Sequence, residues 1–196
     1  MEPYLYHGIR NYDLDRLINI LRTGYVLPKK ELSSQFKVDR TNELDLNGQS
    51  WISLCQKSLF DDSFDDVSHS SFDSFIHKNL CLVFNFNIDG IVYPNFLVYD
   101  FYGSKCIRSL VNDESRNRVS TFSDEVQTSV KIPVSKAIAL GYPMDYLSSL
   151  DYDVASQIKE IRKTLCESKL DIPVVDSSYY DFADTKENIK KYTISK

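Results

Sequence analysis

The run LCLVFNFNI (80–88) constrains this chain more than any other stretch. β-Branched and aromatic side chains run through it, so it reads as the strongest strand in the sequence. It is far too short to span a bilayer, and no window of the chain approaches 18 consecutive apolar residues. Two helices accompany it. Leu14, Leu17, Ile18 and Leu21 recur at helical spacing, with Asp13 placed to cap the start and Gly24 to end the helix in a left-handed turn. In segment 152–170, Val154, Ile158, Ile161 and Leu165 fall on one helical face with Lys and Glu between them.

Other strands are shorter. YLYHGI (4–9) reads as a strand ending at His7-Gly8, and WISLC (51–55) as a buried-type strand following Gly48. FLVYDF (96–101) and the weaker CIRSLV (106–111) follow. EVQTSVKIP (125–133) alternates Val126, Thr128 and Val130 against Gln127 and Ser129, and VSKAIALGYP (134–143) contains one more strand. Between them lie a long polar loop (28–50), a Ser-, Asp- and Phe-rich stretch (56–79) anchored by its phenylalanines, and a polar loop (112–124). After Asp171 the chain is polar and reads as an irregular lid or a frayed end. There is no internal repeat. The pattern predicts an α+β fold with many short strands and few helices, residues 1–150 forming the main body and 151–196 a helix and irregular tail packed on it.

With 196 residues the chain can bury roughly 70% of its extended surface, so a core needs no disulfide or metal staple. The net charge of −5 and a pI near 5.2 provide no global attraction to nucleic acid. Cys55, Cys81, Cys106 and Cys166 are scattered without CxxC pairing, which speaks against a zinc site. Cys55 and Cys81 lie in apolar runs and read as buried thiols suited to a reducing cytosol. No basic segment followed by an apolar one opens the chain, so no signal peptide or membrane anchor is expected and a cytoplasmic protein is.

Four pieces fall in a meaningful order: YHG (6–8), the helix LDRLINILRTG (14–24), the Gly48-x-x-x-Ile-Ser-Leu strand, and EVQTSVKIP opening with Glu125. This order resembles the ADP-ribosyltransferase superfamily, the NAD-binding split-sheet fold of bacterial toxins and poly-ADP-ribose polymerases. Its nearest flavour is the DarT-type prokaryotic transferases, and the likeness covers roughly residues 4–140. It implies an ADP-ribosyltransferase-like split β-sheet core in 1–150. It also implies transfer of ADP-ribose from NAD to a macromolecule by a toxin, effector or defence enzyme.

The resemblance also implies roles. His7 would hydrogen-bond the adenine-side ribose, and the backbone of Gly8 would grip the nicotinamide amide. Ser53 stands where the family carries Tyr in one subgroup and Ser in another, so this chain reads as a His…Ser…Glu hybrid. Phe60 offers a ring for nicotinamide stacking and serves equally as core. Arg40, in the polar loop, is available to the diphosphate, although a lone Arg there is more often solvated. Glu125 would stabilise the positive charge that develops on the ribose as nicotinamide leaves, and would help deprotonate the nucleophile. Ser123 stands two residues before it, where arginine-modifying relatives carry Glu or Gln, which argues against an arginine target. Arg116, Arg118 and Phe122, in the loop before Glu125, would meet the acceptor.

The sequence leaves the acceptor open between protein and nucleic acid, and a toxin role would add a cognate antitoxin as partner. Delivery to a target or host cell stays open as well. Two other readings remain: an NAD glycohydrolase of the same fold, whose acceptor is water, and a non-catalytic module binding a partner through 56–79.

Overall fold

The strongest strand of the sequence lies near the middle of a mixed sheet. The computed structural model describes residues 4–9, 12–28, 31–32, 52–56, 77–85, 88, 91–92, 97–98, 106–107, 125–128, 130–179 and 185–195. In chain order these give β1 (Leu5–Ile9), α1 (Leu14–Thr23), β2 (Tyr25–Val26), β3 (Ile52–Gln56) and β4 (Leu80–Phe84). Then come β5 (Ile91–Val92), β6 (Leu97–Val98), β7 (Cys106–Ile107), β8 (Glu125–Thr128), β9 (Ile132–Pro133) and β10 (Ala137–Tyr142). Helices α2 (Met144–Ser149) and α3 (Val154–Glu167), strand β11 (Val174–Asp176) and helix α4 (Thr185–Tyr192) complete the chain. Among the described residues the main sheet has seven strands in the order β11-β10-β4-β1-β3-β8-β5, with β2-β9 and β6-β7 as separate ribbons.

Every residue of β4 is buried, because both faces of the sheet are covered there. Alternation along the strands sends Leu5 and Ile9 of β1, and Leu80, Leu82 and Phe84 of β4, to one face. Leu17, Ile18, Ile20 and Leu21 of α1 and Ile158, Ile161 and Leu165 of α3 join that core. The opposite face is smaller: Tyr6, Cys81, Val83, Ala139 and Val175, packed against Ile189 and Tyr192 of α4. Three layers result, with α1 and α3 on one side and α4 on the other.

The helix ends follow from local chemistry. Asp13 Oδ1 accepts the Arg16 N–H at 2.9 Å, and Gly24, at φ 72°, closes α1 by donating its N–H to the Ile20 carbonyl. Asp153 caps α3 in the same way by accepting from the Ser156 N–H at 3.0 Å.

Three expectations change. β1 does not end at His7-Gly8 but runs on to Ile9, still paired with Leu80 of β4. The stretch from Glu125 to Pro133 is not one strand. β8 ends at Thr128, whose Oγ1 accepts the Val130 N–H, and Ile132–Pro133 pairs with β2 instead. The tail after Asp171 is not irregular throughout. Val174–Asp176 joins the main sheet parallel to β10, and α4 covers the sheet behind it. Arg162 of α3 fixes the end of the tail, its Nη2 donating to the Ile194 and Ser195 carbonyls at 2.7 and 2.6 Å. Among the described residues no helix is long and apolar enough to cross a membrane.

Candidate functional site

Three strands carry the motif residues, and they are neighbours although the sequence separates them widely. β1, with His7 and Gly8, lies beside β3, with Ser53, and β3 lies beside β8, which opens on Glu125. The ladder between β3 and β8 runs Ile52↔Thr128, Ser53↔Gln127, Leu54↔Val126 and Cys55↔Glu125. The ladder between β1 and β3 consists of Leu5↔Gln56 and Tyr6↔Cys55. Tyr6, Cys55 and Glu125 therefore share one cross-strand line. With strands spaced about 4.8 Å, Glu125 sits roughly 10 Å from Tyr6 along it.

Past Tyr6 the β1–β3 ladder stops while both strands continue. β1 stays paired with β4 through His7↔Leu82 and Gly8↔Cys81, and β3 stays paired with β8 back to Ile52. His7-Gly8 and Ser53 thus border a seam where the β1–β3 ladder has ended, within one continuous seven-stranded sheet. Strand alternation puts the position of His7 with Leu5 and Ile9 on the α1 face. The Tyr6–Cys55–Glu125 line belongs to the other face. His7 is half-buried. Arg40, Phe60, Arg116, Arg118 and Phe122 lie outside the described residues.

Cys81, paired with Gly8, is no nucleophile. Burial pushes its thiol up to about 12, and a hydrogen bond with the Gly141 backbone offsets this only in part. Cys166 is exposed. Among the described residues no group of three or more His, Cys, Asp or Glu could hold a metal ion.

Two polar and aromatic clusters escaped the sequence reading. At the carboxyl ends of β10 and β11, Asp176 Oδ1 accepts the Met144 and Ser178 N–H groups at 3.4 and 3.0 Å. Asp145 accepts the Tyr179 hydroxyl, and the Tyr179 ring stacks on Tyr192 with centroids 6.5 Å apart. The Asp145 carboxylate holds the Tyr179 phenol above its ordinary range, first through that hydrogen bond and then through its charge.

The second cluster lies beyond the end of β1. Tyr12 sets its ring 5.4 Å from Tyr146 and 6.1 Å from Tyr152, tilted by 58° and 65°. The Tyr12 hydroxyl donates to the Tyr146 hydroxyl at 2.8 Å. The Lys78 ammonium stands 5.7 Å from the Tyr146 ring centroid. A signal for it was present in the sequence, since each of these tyrosines adjoins an aspartate: Tyr12-Asp13, Asp145-Tyr146 and Asp151-Tyr152-Asp153. Only the fold brings the three pairs together. No family model, curated protein or solved structure matches the chain, so what it does has to be argued from the geometry of β1, β3 and β8.

Proposed function

We propose that the protein is an NAD-dependent mono-ADP-ribosyltransferase that acts on a macromolecular acceptor. The observation that carries this reading is the seam beside β1. His7-Gly8 and Ser53 border it, and β8, with Glu125 at its head, is the next strand over. The resemblance of YHG, the Ile-Ser-Leu strand and the Glu125 strand leads one to expect these residues on neighbouring strands, which supports the reading.

NAD would meet the positions of Gly8, Ser53 and Glu125 from one face, and His7, whose position is on the α1 face, would reach the adenine-side ribose only past the end of the β1–β3 ladder. The Gly8 backbone would hold the nicotinamide amide, where the lack of a β-carbon lets a ligand come close. As the bond from nicotinamide to ribose stretches, positive charge grows on the ribose, and the Glu125 carboxylate stabilises it. The same carboxylate helps take the proton from the acceptor as the new bond to ribose forms. Glu125 opens a strand that is held in register by four pairs with β3, and a rigid element fixes such a group better than a loop. Cytoplasmic action, as a toxin, effector or defence enzyme, belongs to the same reading.

The test incubates the purified protein with labelled NAD and whole lysate, then treats portions with protease or nuclease. Label lost only to protease identifies a protein acceptor, and label lost only to nuclease a nucleic acid. Nicotinamide release without transferred label would make the protein a glycohydrolase. Failure to bind NAD at all would overturn the reading.

A further inference from the structure

We infer that Tyr12, Tyr146 and Tyr152 form an aromatic seat for a cationic side chain of a basic protein segment. This deepens the proposed transferase activity, and rests on it, by giving the acceptor a chemical class: a protein that carries an exposed Lys- or Arg-bearing segment.

The rings supply the first half of the argument. Tyr12 contacts both other rings and is hydrogen-bonded to Tyr146, so the cluster is tied together across widely separated parts of the chain. Tyr12 holds φ at 53°, a left-handed conformation that is uncommon for a bulky residue. At that point the chain is turning out of β1 into α1. Tyr12 and Tyr146 pack on the edge of the core, while Tyr152 remains 39% exposed and presents its ring to solvent. Aromatic faces carry the negative part of the ring quadrupole and attract cations.

Charge supplies the second half. Asp13, Asp145, Asp151 and Asp153, the chain neighbours of the three tyrosines, are all exposed. A phosphate backbone would meet these carboxylates, whereas a Lys or Arg side chain would be drawn to them. The chain itself supplies a cation to this surface. The exposed Lys78 places its ammonium over the Tyr146 ring, as an incoming lysine would. Lys78 lies two residues before β4 and Tyr12 three residues after β1, at the end of the sheet where Ile9 pairs with Leu80. The seat thus lies beyond the Ile9 end of β1, apart from the Glu125 position.

The experiment titrates a fluorescent Lys-rich peptide into the full chain without NAD and follows anisotropy. The same peptide with Gln in place of Lys, and a labelled single-stranded oligonucleotide, are run in parallel. The Lys peptide should bind, and more weakly as salt rises. Tyr152→Ala should lower its affinity about three- to ten-fold, the scale of a cation–π contact, with only a small drop in the thermal melt from the lost edge contact with Tyr12. Tyr152→Phe should retain the affinity. Lys78→Ala should raise it, because the resident cation no longer competes. Equal binding of the Gln peptide, unchanged affinity in Tyr152→Ala, or preference for the oligonucleotide would each overturn the seat. Because NAD is absent, these results stand whatever the outcome for catalysis. An active transferase that ignores the Lys peptide would reject the seat and leave the enzyme reading intact.

Discussion

Cys81 on β4 and Gly141 on β10 face each other so closely that a β-carbon on Gly141 would stand 2.6 Å from the Cys81 sulfur. The Ser177 β-carbon, 3.4 Å away, lies on the same side, and Cys81 is fully enclosed. Gly141→Ala should therefore overpack the face beneath α4 and cost about 1–3 kcal/mol in urea unfolding. Adding Cys81→Ala should recover most of that loss, because removing the sulfur makes room for the methyl group. Simple addition of the two losses would show that this contact is not the cause.

Alkaline pH should weaken the fold through two buried groups. Burial pushes the Cys81 thiol from 9.0 up to about 12. Burial, and then the charge of Asp153, raises the Tyr142 phenol from 10.0 to about 12. Each keeps its proton when folded and loses it more readily when unfolded. The stability they contribute is complete below the unfolded values and is lost as pH climbs from about 9 towards 12. Each group then shifts the unfolding equilibrium about tenfold per pH unit. Urea midpoints measured from about pH 8 to 11 should fall steadily, and Tyr142→Phe should make the fall shallower. A flat profile would contradict the burial of both groups. In the native protein at neutral pH, an alkylating reagent should label the exposed Cys166 and spare Cys81.

Glu125→Gln should leave NAD affinity nearly intact and reduce both transfer and nicotinamide release by about 10²-fold or more. On the proposed mechanism the carboxylate would act on charge that exists only in the transition state, so the loss would belong in kcat. Near wild-type turnover in this variant would remove Glu125 from the mechanism.

If His7 contacts the ribose as proposed, His7→Ala should raise KM for NAD more than it lowers kcat, since that contact would act in ground and transition states alike. The position of His7 on the α1 face gives the contrary outcome a clear form. A variant with a lower melting temperature and an unchanged KM would make His7 a packing residue of β1.

The sequence by itself determined the elements whose signals lie within a turn or two of chain. Asp13, the Leu17–Leu21 spacing and Gly24 bound α1, and Ile158, Ile161 and Leu165 mark the buried face of α3, because capping and helical periodicity act over a few residues. Ile52–Gln56 and Leu80–Phe84 were legible as strands for a similar reason, their apolar and β-branched content being local. The candidate residues His7, Gly8, Ser53 and Glu125 could be picked out by motif, but not their arrangement. Alternation says which residues share a face of a strand and nothing about which strand comes next. Tertiary structure alone decided that β3 separates β1 from β8, that the β1–β3 ladder stops at Tyr6, and that His7 lies out of phase with Glu125. It also placed Val174 and Val175 in the sheet. Their short apolar run is outweighed locally by its polar surroundings and becomes a strand only because β10 offers it a parallel edge. The same holds for Tyr12, which more than a hundred residues of chain separate from Tyr146 and Tyr152 and which packing alone unites with them.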